Sequence, residues 1–130
     1  MTSIMPAMRG FLALILVLAV APALAGATRF LTGSEDVPLM EGLTERGETR
    51  TVFDTPGGRI VDVETEGGVS AEAVRRYYEA SLPALGWRRD PAGPADGTAW
   101  RRASEVLVIT IRPGHGGGAN VRFNLRPVSL

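Results

Sequence analysis

Hydrophobic and polar residues change rhythm several times along this chain, and each rhythm predicts a different element. Between Val69 and Trp87 the period is helical. At about 100° per residue, Ala71, Val74, Tyr77, Tyr78, Leu82 and Leu85 fall within one arc of roughly 140°. Glu72, Arg75, Arg76 and Glu79 fall in a separate arc of roughly 100°. Ser70 is placed to cap the first turn through its hydroxyl, and the i, i+4 pairs Glu72–Arg76 and Arg75–Glu79 each add tenths of a kcal/mol. Pro83 removes a helical donor and biases Leu82 away from helical angles. Regular helix is therefore expected to about Ser81, then a kinked or separate turn closed by Gly86, with Trp87 folding back on the helix end.

Around this helix the period is two. Thr51-Val52-Phe53 and the run Arg59 to Thr65 predict a hairpin, with Thr55-Pro56-Gly57-Gly58 supplying turn chemistry. In the second arm Val61, Val63 and Thr65 share one face, and Ile60, Asp62 and Glu64 the other. Arg88 to Asp90 continues as a strand from Trp87, and Pro91 to Gly97 is a loop. Thr98 to Arg102 and Glu105 to Arg112 predict a second hairpin around Ala103-Ser104. Leu107, Ile109 and Ile111 line one face of its second arm while Val106 and Val108 line the other, which marks a central strand. Gly114 to Gly118 is a loose connection. The last strand points Val121, Phe123 and Leu125 inward and Arg122, Asn124 and Arg126 outward, until Pro127 stops it or marks an edge. The order β-β-α-β-β-β with hairpin-length connections predicts an α+β fold, a mainly antiparallel sheet with one amphipathic helix packed on one face.

The N-terminal 25 residues follow neither rhythm. Arg9 precedes the apolar run Phe11 to Leu24, and Ala23-Leu24-Ala25 gives a small-x-small ending, the pattern of a secretory signal peptide cut after Ala25. The competing expectation is an uncleaved inner-membrane anchor over residues 11–27, at the short limit for a span and interrupted by Pro22. No lipobox cysteine is present to carry a lipid. Residues 26–50 form an irregular arm with a compact apolar patch, Val37-Pro38-Leu39-Met40 and then Leu43. Residues 51–130 form the single domain. Two destinations are open for the patch: a lid over the domain's own core, or a docking segment for another envelope protein.

Of the chain's 130 residues none is cysteine, which removes disulfides, thiolate metal sites and cysteine nucleophiles. All the basic residues are arginine, and the formal charge is zero. Acids outnumber arginines from Gly26 to Glu66 and arginines outnumber acids from Gly67 onward. These charges cancel if strands of the two halves interleave. No concentrated basic field suited to nucleic acid is present.

Candidate chemistry is sparse. His115 is the only histidine, in Gly114-His115-Gly116-Gly117-Gly118, and this run lacks the Lys-Ser/Thr ending of a phosphate-cradling loop. No serine stands in a nucleophile elbow. Asp62 and Glu64 are expected to be cross-strand partners of arginines rather than an acid/base pair. No catalytic residue, metal or cofactor is assigned. The outward row Arg122, Asn124 and Arg126, joined by Arg101 on a neighbouring strand, is the candidate anion-binding patch, suited to a lipid headgroup or a cell-wall carboxylate through guanidinium contacts.

Three stretches carry a resemblance: Asp36 to Leu43, Phe53 to Ile60, and Val74 through Tyr77-Tyr78 to Leu82-Pro83-Ala84-Leu85-Gly86-Trp87. The chain resembles a group of small, uncharacterised exported proteins of alphaproteobacteria, whose Tyr-Tyr…Leu-Pro-x-Leu-Gly-Trp ending also recurs in other bacterial envelope proteins. The resemblance implies export and a compact α+β fold, and carries no catalytic residue.

The functional expectation is an exported, non-enzymatic envelope or periplasmic module that binds another envelope protein or an anionic envelope ligand. It touches the membrane only through the signal segment. The alternatives are a ligand-binding or hydrolytic pocket between helix and sheet, lined by Tyr77 or Tyr78 and an arginine, and a membrane-anchored structural protein.

Overall fold

Alternation in the longest strands decides where the core lies. A computed structural model describes residues 28–129, so the signal segment and the alternative anchor over residues 11–27 lie outside the described residues. β5 (Gly58–Gly67), β8 (Glu105–Pro113) and β9 (Ala119–Pro127) each bury every second residue. Val61, Val63, Leu107, Ile109, Val121, Phe123 and Leu125 form one buried inner face, as their alternation requires.

The remaining strands are β1 (Arg29–Phe30), β2 (Pro38–Leu39), β3 (Leu43–Glu45), β4 (Thr51–Thr55), β6 (Arg88–Asp90) and β7 (Gly97–Arg102). Seven strands make one antiparallel sheet in the order β3-β5-β9-β8-β7-β6, and β4 pairs with β5 beside β3. β3 and β4 are in effect one edge broken by the turn Gly47–Thr49. β1 and β2 form a separate two-stranded ribbon. The fold is α+β, as the rhythms predict, with more strands than β-β-α-β-β-β counts. The extra ones are two or three residues long, too short for alternation to show. β9 lies between β5 and β8, so Pro127 ends that strand rather than marking an edge.

The helix α1 (Ala71–Ala84) crosses β8 and β9 on the inner face. Ser70 Oγ accepts the Ala73 N–H at 3.1 Å. Val74, Tyr78 and Leu82 are buried and Tyr77 is half-buried, whereas Leu85, expected in the core arc, lies beyond the helix end and is 37% exposed. Pro83 does not end the helix at Ser81. It stands in the last turn, where a single missing donor is tolerated, and helix runs on to Ala84. The end is a Schellman motif: Trp87 N–H bonds to Leu82 O at 3.1 Å, and Gly86 N–H bonds to Pro83 O at 3.1 Å, with Gly86 at φ +89°. That left-handed residue turns Trp87 back into the core.

The arm closes the core along the length of the helix, with Gly42 beside Val69 before its first turn and Asp36 at Trp87 after its last. Leu31, Val37, Leu39 and Leu43 are buried among the sheet and helix side chains. Two aromatic side chains hold the arm by its backbone. Tyr78 donates to Pro38 O at 2.8 Å and accepts the Met40 N–H at 3.1 Å, and Trp87 Nε1–H donates to Asp36 O at 2.9 Å. The Tyr78 hydroxyl is thus an interior clamp.

Candidate functional site: the uncovered sheet face

No described helix lies on the outer face, so its side chains decide what it can bind. Register places them in rows. Asp62, Asn124, Val108, Ala99 and Asp90 form one row across the sheet, and Arg126, Val106, Arg101 and Arg88 form the next. On the other side of the first row lie Glu64, Arg122 and Thr110, followed by Glu66, Asn120 and Arg112.

The interleaving of β5 with β9 brings the acidic half of the chain against the arginine-rich half. Arg122 grips Asp62 with two hydrogen bonds, Nε to Oδ1 at 2.9 Å and Nη2 to Oδ2 at 2.7 Å, and Asn124 Nδ2 adds a third at 3.4 Å. The Arg122 guanidinium holds the Asp62 carboxyl below the usual carboxylate range. Arg101 likewise donates to Asp90 at 2.7 Å and lowers its pKa. Arg112 donates from Nε and Nη2 to Asp96 at 3.2 and 3.1 Å.

The four residues proposed from sequence as one patch do not converge. Arg122 and Arg126 stand four residues apart on one strand, about 13 Å, and Arg101 lies two strands from Arg126. Arg122 instead shares a shallow cleft of about 260 Å³ with Arg46, Arg112, Glu64, Thr110 and Asn120. Sequence reasoning missed Arg46 and Arg112. Arg112 was within reach, because a β8–β9 hairpin that pairs Thr110 with Arg122 places it diagonally across from Arg122. Arg46 enters from the turn between β3 and β4, which no periodicity announces.

Each engaged guanidinium keeps donors in reserve. Arg122 uses Nε and one Nη2 hydrogen on Asp62, and its fork has five N–H groups. Carboxylates engage all three cleft arginines, Arg46 through Glu48 at 3.4 Å, so an incoming carboxylate or phosphate meets donors already oriented. The same carboxylates offset much of the positive charge of the cleft.

The apolar patch of the arm is not available to a partner. Pro38, Leu39 and Leu43 are buried and Met40 is half-buried against the core. Its apolar residues close the inner face, so of the two destinations open to the patch the arm takes the lid, and Pro38, Leu39, Met40 and Leu43 are not a docking segment. Nor do the tyrosines line a pocket. Tyr77 packs edge-on against Tyr78 at 4.9 Å, and Tyr78 against Phe123 at 5.3 Å. The larger concavity, a groove of about 690 Å³, opens between the β1–β2 ribbon and the sheet end, where Phe30, Ser34, Asp36, Asp54, Arg59 and Glu105 line it. Burial and then the nearby Asp36 charge raise the Glu105 pKa. His115 is exposed in the short turn His115–Gly117. Among the described residues no group of three or more His, Asp or Glu side chains is placed to hold a metal ion, and no helix is long and apolar enough to cross a membrane. Comparison with protein-family models, with curated proteins and with solved structures finds no match.

Proposed function

We propose that this protein is an exported, non-enzymatic module of the bacterial envelope that binds an anionic envelope ligand through its outer sheet face. The observation that supports it most is the cleft, where Arg46, Arg112 and Arg122 surround Thr110 and Asn120 on a face no described helix covers. The leader pattern of residues 1–25 supports export. Loss of the arm patch as a docking surface leaves this face as the favoured one.

Flotation with vesicles containing phosphatidylglycerol, and titration with a carboxylated cell-wall peptide, test the ligand class. Binding of either at low salt is expected, weakened by 0.5 M salt and by the double variant Arg112→Gln/Arg122→Gln. Binding unchanged in that variant, or absent for both probes, overturns the assignment. Fractionation of the native cell tests export separately.

The groove beside the ribbon favours a second reading, a site for a small basic ligand. Its lining carries Glu35, Asp36, Asp54 and Glu105 against Arg59. Titration with polyamines, read against Glu105→Gln, separates it from the cleft.

A further inference from the structure

One sheet edge is left open in a way the others are not. β6 is three residues long and runs into Pro91, and β3 is three residues long and ends at the turn Gly47–Thr49. Short strands, prolines and interruptions are the usual protections against edge pairing. β4 is the longest of the three: Thr51-Val52-Phe53-Asp54-Thr55 is an uninterrupted strand with no proline inside it, bounded by Arg50 and Pro56 and carrying one charged side chain, Asp54. Val52 is 41% and Phe53 48% exposed.

Register shows which backbone groups this edge offers. Thr55 pairs with Gly58 across a two-residue turn, so Thr51, Phe53 and Thr55 direct their N–H and C=O groups toward β5. The bond from Arg46 N–H to Glu64 O confirms that even-numbered residues of β5 face this side. Val52 and Asp54 therefore direct their N–H and C=O groups outward, and among the described residues β4 has no strand on that side.

The geometry points to a two-fold homodimer in which β4 pairs antiparallel with β4 of a second copy, centred on Phe53. This register sets Val52 opposite Asp54 of the other chain, so the outward groups of both chains exchange four backbone hydrogen bonds. Phe53 then meets its own copy at a non-hydrogen-bonded position, where side chains approach most closely, and Thr51 meets Thr55; aromatic and Thr–Thr pairs are both favourable across strands. Arg50 lies diagonally across from Asp54 of the second copy, but Glu45 and Arg59 of their own chains already pair these two charges, so the backbone bonds and the Phe53 pair carry the contact. Neighbouring registers are worse. Centring on Val52 calls on the Arg50 N–H, already donated to Gly47 O, and centring on Asp54 opposes two carboxylates and brings in Pro56, which has no N–H. The self-complementarity of these five residues is what selects a second copy over a foreign strand. This inference is independent of the proposed ligand and of export.

Sedimentation equilibrium on the protein as its cell processes it, from about 1 µM to about 500 µM, covers the weak end at which a small interface associates. The expected mass rises toward twice that of the protomer. Phe53→Lys, which sets like charges at the two-fold without touching the buried core, is expected to weaken the dimer at least about tenfold while leaving the circular dichroism spectrum unchanged. Since the chain has no cysteine, Phe53→Cys is expected to form a disulfide-linked dimer in air, whereas Thr51→Cys, about 14 Å from its own copy in this register, does not. A mass that stays monomeric throughout, a dimer that survives Phe53→Lys, or equal cross-linking of the two cysteine variants each overturns the proposal.

Discussion

Replacing Tyr78 by Phe isolates the clamp that holds the arm to the helix. The ring stays, so its packing on Phe123 and Tyr77 is retained, and only the hydroxyl goes. That oxygen serves two backbone groups, the Pro38 carbonyl at 2.8 Å and the Met40 amide at 3.1 Å. Each bond contributes about 1 kcal/mol net, and stranding two backbone groups in a part-buried place adds to the loss, giving about 2–3 kcal/mol. A folded unit of about 100 residues gains about 0.2 kcal/mol per kelvin of unfolding entropy, so Tm should fall by about 10–15 °C. Tyr77→Phe is the control. Its hydroxyl makes no hydrogen bond among the described residues, and its cost should stay below about 0.5 kcal/mol. Scanning calorimetry measures both, and hydrogen exchange at the Met40 amide reports whether the arm has come loose. Equal melting temperatures for the two variants, or an unchanged Met40 exchange rate, would refute the clamp.

Other expectations follow from single sites. Ser81 Oγ is buried without a hydrogen-bond partner, so Ser81→Ala should stabilise the protein by about 0.5–1 kcal/mol, read as a higher urea midpoint at constant slope. A Cβ on Gly67 would meet the Gly42 carbonyl; Gly67→Ala should cost about 2–3 kcal/mol, and a melting temperature within 2 °C of wild type would show that the edge yields. Burial pushes the Tyr78 hydroxyl above its ordinary pKa of 10.0. Its contribution is then fully present below pH 10 and lost as pH rises above it, and Tyr78→Phe should flatten that alkaline slope. The Asp62 pKa lies below its ordinary 3.8 because of Arg122, so its contribution is present above that value and lost as pH falls. With Arg122 more than half exposed, solvent screens the pair; it amounts to under about 1 kcal/mol, and Asp62→Asn should barely change the acid midpoint.

The long strands and the helix were legible because burial imposes a period on them. Val61, Val63 and Thr65, or Val121, Phe123 and Leu125, fit no other arrangement. Of the short strands only β6 was anticipated, at Arg88 to Asp90; β1, β2 and β3 are held by backbone pairing and by distant clamps, and no run of two or three residues carries a period. Strand order was also out of reach. Arg122 and Arg126 look like neighbours in sequence, and only the placement of β9 beside β5 shows that Arg122 belongs with Asp62 and a different set of arginines. The arm was ambiguous for a related reason: a surplus of apolar residues reads the same whether the chain's own core or a partner covers it.

The placement of β9 between β5 and β8 also governs time. Its ladder with β5 joins residues about sixty positions apart, such as Asp62 and Asn124, so the β3-β4-β5 side of the sheet has no strand joining it to the β8-β7-β6 side until the last strand arrives. Such non-local closure slows folding toward the millisecond-to-second range. A chain lacking residues beyond Gly118 would keep its β4–β5 and β7–β8 hairpins but have no sheet to join them. Anything that takes up the chain from its N-terminus therefore meets an open, threadable polypeptide, and the fold locks only after the C-terminal strand has followed through.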